Sequence, residues 1–171
     1  IAADVLGMGV DGFMADFAEG LPFDAVLHEG DAHLLHNAWP GLWVDTVTEA
    51  CDRAGKPDCV AWFRSGSLGS SPALTWTGDQ LVDFSREDGL ASALLGMFSA
   101  GVSGWPVVHS DLGGYTSVNA VIKDYRRSPE LLERWAELAA FGPVMRTHET
   151  NRPAVNLQPD ADPAPAAHLA R

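Results

Sequence analysis

Five short apolar runs, each closing on a polar or charged residue, constrain this chain more than any other feature of its sequence. GFMA runs into Asp16, VAWF into Arg64, LTWTG into Asp79, PVVHS into Asp111 and PVMRT into His148. Apolar runs this short, bounded by turn residues, read as strands buried on both faces, the kind a parallel sheet contains. In parallel α/β proteins the C-terminal ends of the strands are where side chains converge on a ligand. A single Asp after a strand is ordinarily a turn former or a helix cap. Five such endings in order point to one site assembled from several strands.

Between the runs, helical spacing takes over. From Asn37 the apolar positions Trp39, Leu42, Trp43, Val47, Ala50, Cys51 and Ala54 recur on one face, with Asn37 as cap, Pro40 in the first turn and Gly55 as the stop. A second helix is expected from Asp88 to Ala100, with Leu90, Leu94, Leu95 and Phe98 on one face. A third opens at a Ser128 cap, carries Pro129 in its first turn and ends at Gly142. The strands fall at Gly12 to Ala15, Val60 to Phe63, Leu74 to Thr77, Trp105 to His109 and Pro143 to Thr147, with Phe23 to His33 as a loop and Gly66 to Pro72 as a flexible Gly/Ser loop. Strand, helix, strand at about 30 residues a unit is the rhythm of a parallel α/β sheet. The second and third strands depart from it, since no helix separates them.

A chain of 171 residues, 46% hydrophobic and 20% charged, has enough apolar side chain for a real core. Its formal charge of −12 repels phosphate backbones and anionic membrane surfaces, so nucleic acid is not an expected partner. No apolar run reaches the roughly 18 residues of a membrane span, and no membrane insertion is expected. Cys51 and Cys59 are the two cysteines, and reduced thiols in a reducing, cytoplasmic compartment are the plainer expectation for so small a number.

Asp16 and Asp79 at one rim of a barrel are the equipment of a retaining glycosidase. One carboxylate attacks the anomeric carbon while the other gives its proton to the leaving oxygen. Trp76 beside Asp79 favours the proton-donating role there, which leaves Asp16 as the nucleophile. Arg64 is placed to hold a hydroxyl or an anionic substituent, and His148 to donate to a sugar hydroxyl. Trp62, Trp76, Trp105 and Phe17 offer flat faces that stack on sugar rings, although each taken singly is ordinarily core. Two other readings stay open. His33, His36, His109, Asp111, Asp16, Asp79 and His148 could supply a divalent metal to a hydrolase barrel. The acidic strand ends of a non-catalytic, carbohydrate-binding fragment would also look like this.

The strings GVDGFMADFAEGLP, HNAWPGLW, WTGDQLVDFSREDGL, HSDLGGYTS and RWAELAAFGPVMRTHE resemble, in order and spacing, the catalytic domain of family 31 glycoside hydrolases, and most of all its bacterial sulfoquinovosidase branch. The resemblance implies the C-terminal half of a (β/α)8 barrel over residues 1–155, about strands 4 to 8, with 156–171 a truncated linker or the start of the next element. It implies Asp16 as nucleophile and Asp79 as acid/base, and substrate contacts from Arg64, Trp76, Gln80, Asp111, Tyr115 and His148. Tyr115 is the position that helps receive the sulfonate in sulfoquinovosidases, where many α-glucosidases of the family have Phe. The implied substrate is a small-molecule glycoside, an α-sulfoquinovoside first and an α-glucoside or α-xyloside second, with no metal and no cofactor. Homo-oligomerisation of the full-length protein is left open, and the isolated half-barrel is expected to be inactive. One departure stands out: the branch commonly reads FGEYLP after the nucleophile, and this chain reads FAEGLP, with Ala18 and Gly20.

Overall fold

The computed structural model describes residues 2–67, 73–161 and 167–168, so most of the expected Gly/Ser loop and part of the Ala/Pro-rich tail lie outside the described residues. The chain divides into two compact units, residues 1–75 and 76–171.

In the first unit, helix α1 (Ala2–Gly7) leads into strand β1 (Gly12–Ala15), and β1 pairs in parallel with β2 (Val60–Phe63), Gly12 opposite Val60 through Ala15 opposite Phe63. Both strands occupy the residues expected for them. Between them lie a short helix α2 (Ala32–Leu35) and the crossover helix α3 (Trp39–Arg53). The loop expected over Phe23 to His33 thus contains a helix start, because the Asp31 side chain accepts from the His33 backbone N–H at 2.8 Å. Helix α3 starts two residues after Asn37, with Ala38 in the cap position and Pro40 in the first turn. It ends in a Schellman motif, in which Lys56 N donates to the Cys51 carbonyl and Gly55 N to that of Asp52, both at 2.9 Å. Ala15, Phe63, Val47, Cys51 and Leu6 form the core. The first residue of β3 (Thr75–Trp76) extends this pairing, Phe63 opposite Thr75.

The thiols are not free. Cys51 and Cys59 form a disulfide with Cα atoms 6.0 Å apart, which corrects the expectation of two reduced cysteines. The Schellman turn is the physical reason: it reverses the chain at Gly55 and returns the start of β2 to the last turn of α3.

In the second unit, α4 (Leu90–Val102), β4 (Val108–His109), β5 (Asp111–Leu112), α5 (Pro129–Ala140) and β6 (Arg146–Thr147) follow, then a 3₁₀ turn at Pro153–Val155. Thr77 N donates to the His109 carbonyl at 2.9 Å, and β5 pairs in parallel with β6, Asp111 opposite Arg146. Ser128 caps α5 by accepting from Leu131 N, as the sequence anticipates. Leu131, Leu132, Trp135 and Ala136 then pack with Val82, Ala93 and Leu112. Helix α4 turns differently from its expected face. Ala93 is fully buried and Gly96 lies against Thr77, which leaves Leu95 and Phe98 half or more exposed. No helix among the described residues is long and apolar enough to cross a membrane.

The disulfide closes a loop eight residues long. Its reduction in the full-length protein should lower the unfolding free energy by about 2–3 kcal/mol, read from urea titrations with and without reductant. Superimposable curves would show that the bond holds nothing.

Candidate active site

Asp16 follows the last residue of β1, and the two residues after it are strained. Phe17 (φ 65°) and Ala18 (φ 71°) both occupy the left-handed region, where a non-glycine residue costs of order 1–3 kcal/mol unless its surroundings fix it. Here they do. Arg64, directly after β2, places Nε 3.1 Å from Asp16 Oδ1 and 3.1 Å from Glu19 Oε1, and Nη2 2.5 Å from the same Glu19 oxygen. Its guanidinium carbon lies 4.5 Å from the Phe17 ring centre, and Ser65 Oγ donates to the Phe17 carbonyl at 2.6 Å. The turn from Asp16 to Glu19 is folded around one cation. Partial burial tends to raise the Glu19 pKa, but the Arg64 hydrogen bond and charge outweigh it and hold the carboxyl below its ordinary range. A cavity of about 370 Å³ opens beside Asp16, lined by Phe17, Ala18, Trp39, Leu42, Trp43 and Thr46. Its walls are mostly apolar apart from the carboxylate.

The second unit gathers the other expected residues around the turn after β3. The Gln80 side chain is spent locally, its amide donating to the Thr77 carbonyl at 2.5 Å and accepting from the Thr77 hydroxyl at 3.0 Å. Its backbone carbonyl accepts from Tyr115 N (2.9 Å) and Thr116 N (2.8 Å), and the Thr116 hydroxyl donates to the Asp79 carbonyl at 2.6 Å. The GGYT segment and the Asp79 turn are therefore one hydrogen-bonded piece. The Tyr115 and His148 rings meet edge to face, centres 4.7 Å apart. Thr150 N donates to His148 Nδ1 at 3.1 Å, which leaves the ring proton on Nε2. Burial, then the nearby Arg146 and Arg127 charges, lower the His148 pKa, favouring that neutral form.

Asp111 and Trp76 are buried in the same unit. Both are about 1% exposed; Asp111 is ion-paired with Arg146, whose guanidinium lies 5.9 Å from the Trp76 ring centre and whose Nε donates to His109 Nε2 at 3.2 Å. Burial pushes the Asp111 carboxyl up to about 6 against the pull of Arg146, and the Asp79 charge adds to the rise. In this chain the Asp111 carboxylate is engaged by Arg146 and the Gln80 amide by Thr77. The histidines of the metal reading are also occupied elsewhere: His33 and His36 stack on Phe23, and His36 Nδ1 lies 2.6 Å from the Leu21 carbonyl. Among the described residues no three His, Cys, Asp or Glu side chains are grouped to hold a metal.

Sequence reasoning passed over Glu19, Arg146 and Arg127. Glu19, three residues beyond a strand-end Asp, was readable as a partner for a strand-end Arg. Arg146 and Arg127 carried no such signal, since a lone Arg reads as solvated until its burial is known.

Each unit carries parallel strand pairing with polar side chains at or just beyond its strand ends, Asp16 and Arg64 in the first, Asp111, Arg146 and His148 in the second. All 171 residues match the glycosyl hydrolases family 31 TIM-barrel domain, and the chain belongs to that family. It is 47% identical to a sulfoquinovosidase of Agrobacterium fabrum (strain C58) and 46% identical to the sulfoquinovosidase of Escherichia coli (strain K12), each match covering 100% of this chain. The chain spans about a quarter of the length of those relatives, 26% and 25%. It also superposes on a GH31 family sulfoquinovosidase from E. rectale, solved in complex with the aza-sugar inhibitor IFGSQ, with a TM-score of 0.85 and 45% identity over 96% of this chain and 24% of that one. The expected class, part of a (β/α)8 barrel, is what these matches show.

Two measurements follow from this geometry. Ala18→Gly removes the left-handed strain at φ 71° and should stabilise the protein by up to about 1 kcal/mol in urea unfolding; a loss of stability would mean that the alanine is not strained. For Asp111 the folded pKa of about 6 lies above its ordinary 3.8, so its contribution is complete below about pH 4 and is lost as pH rises through 6. His148 has the opposite sign, its folded pKa being lowered. The parent should therefore lose stability relative to Asp111→Asn as pH rises from about 4 to about 7. A difference independent of pH would contradict the raised pKa.

Proposed function

We propose that the protein containing this chain is a retaining α-glycosidase that hydrolyses α-sulfoquinovosides by double displacement. Asp16 is the nucleophile, delivered at the end of β1 by the turn around Arg64, and forms the glycosyl-aspartate intermediate. Asp79 protonates the departing oxygen and then deprotonates the incoming water. His148, with its proton on Nε2, donates to a sugar hydroxyl, Arg64 contacts the sugar beside Asp16, and Tyr115 lies on the sulfonate side. Trp76, Gln80 and Asp111 complete the substrate pocket from beneath its surface. The observation that carries this reading is the 46–47% identity across the whole chain to two sulfoquinovosidases, with Tyr115 seated against His148. The substrate is a small-molecule glycoside, and the chemistry calls for no cofactor. The residues of this chain form only part of a barrel, so the 171-residue piece alone is proposed to be inactive.

An α-glucosidase or α-xylosidase of the same family is the second reading, since the departure at Ala18 and Gly20 falls on the turn beside Asp16. Turnover of nitrophenyl α-sulfoquinovoside and nitrophenyl α-glucoside by the full-length protein separates the two, and preference for the glucoside would overturn the first. Within either reading, Asp16→Ala should reduce kcat by about 10⁴-fold or more on every substrate. Asp79→Ala should lose about 10²- to 10⁴-fold on alkyl glycosides yet keep the first step on aryl glycosides whose leaving group needs no proton. Equal losses in the two variants for all leaving groups would reverse or abolish the assigned roles.

A further inference from the structure

Arg127 is 3% exposed, and every hydrogen bond its guanidinium donates goes to a main-chain carbonyl. Nε donates to Gly113 at 3.0 Å, Nη2 to Gly114 at 2.6 Å and to His148 at 2.8 Å, and Nη1 to Leu157 at 3.3 Å. A cation has been taken out of water to tie separate stretches of backbone to one rigid fork, a task that arginine's planar donors perform and lysine's point charge does not. Two of those stretches lead straight to residues assigned to the sugar. Gly113 and Gly114 run into Tyr115, and His148 is held by its own carbonyl.

The turn is moulded to the guanidinium. Gly113 (φ 85°) and Gly114 (φ 76°) are both left-handed, and a Cβ on Gly113 would stand 2.7 Å from Arg127 Nε and 3.0 Å from its Cδ. Only glycine leaves room there for the fork to reach both carbonyls. Arg127 is itself fixed, its backbone N–H donating to Asn156 Oδ1 at 2.8 Å while Asn156 Nδ2 donates to the Arg152 carbonyl at 2.8 Å. Burial draws the Arg127 pKa down to about 10, which still leaves it charged at neutral pH.

We propose that Arg127 is a positioning residue: by gripping the Gly113-Gly114 turn and the His148 carbonyl at once, it sets the spacing of Tyr115 and His148, and with it the preference for an anionic, sulfonate-bearing sugar over a neutral one. The role rests on the sulfoquinovosidase reading above. Arg127 touches no substrate; it acts through the two side chains whose backbone it holds.

The test is the full-length enzyme carrying Arg127→Lys, assayed on nitrophenyl α-sulfoquinovoside and nitrophenyl α-glucoside, beside a Leu131→Ala control that loses stability in the same unit's core. Below both melting temperatures, Arg127→Lys should raise KM for the sulfoquinovoside about 10- to 100-fold and narrow the ratio of kcat/KM between the two sugars, as displacement of binding groups does. The control should leave that ratio at the parent's value. Asn156→Ala, which keeps the guanidinium but loosens its backbone, should move the ratio the same way by less, and it answers the question where Arg127→Lys does not fold. Unchanged KM and unchanged ratio in the folded variants would overturn the proposal. A parent enzyme that prefers the glucoside sinks the substrate reading instead, and the positioning role then stands or falls on whether KM for the glucoside rises.

Discussion

The contact between Arg64 and the turn from Asp16 to Glu19 is what fixes the backbone beyond β1 in the first unit. Two consecutive left-handed residues, neither of them glycine, do not persist in a free loop. They persist here because one guanidinium reaches a carboxylate at each end of the turn and stacks on the ring between them. The parallel register of β1 and β2, Ala15 opposite Phe63, puts Asp16 and Arg64 next to each other, one residue beyond each strand. Strand pairing therefore dictates the ion pair, and the ion pair dictates where the carboxylate points.

The second unit solves a related problem with buried charge. Asp111 and Arg146 lie opposite each other on β5 and β6, so the pairing of two very short strands also brings an acid and a base into register. An ion pair out of water is weak evidence for stability, because desolvation offsets much of the attraction, but it fixes geometry strictly. The Arg146 charge of the pair also acts on His148. Arg127 adds a buried cation whose hydrogen bonds go to main-chain carbonyls. The unit that carries Tyr115 and His148 thus holds two polar networks, one joining Asp111, Arg146 and His109 and the other joining Arg127 to the Gly113, Gly114 and His148 carbonyls.

Much of this was legible in the residues. The runs GFMA and VAWF are strands because short, apolar, turn-bounded segments can be little else, and Ser128 with Pro129 marks a helix start by chemistry that is local to the chain. Asp16, Arg64, Asp79 and His148 could be singled out as candidates because each stands at or just beyond a run's end. Features that depend on distant partners were not findable. The strand Asp111–Leu112 is two residues long and exists only through its pairing with Arg146–Thr147. The disulfide depends on the reversal at Gly55, and the inward face of α4 on where Thr77 lies. Trp76, read as a flat face for a sugar, is covered almost completely. Burial is a property of the fold, and a residue's type alone does not disclose it.

In the mechanism proposed above, Asp16 is the group on which the chemistry turns, and that proposed role has a direct signature. The full-length enzyme incubated with a 5-fluoro α-glycosyl fluoride should accumulate a covalent glycosyl-enzyme, visible as an intact-mass increase of one sugar. Peptide mapping should place that sugar on the peptide containing Asp16, with the label lost in Asp16→Asn. A label on a different carboxylate, or turnover with inverted anomeric configuration and no adduct, would contradict the account.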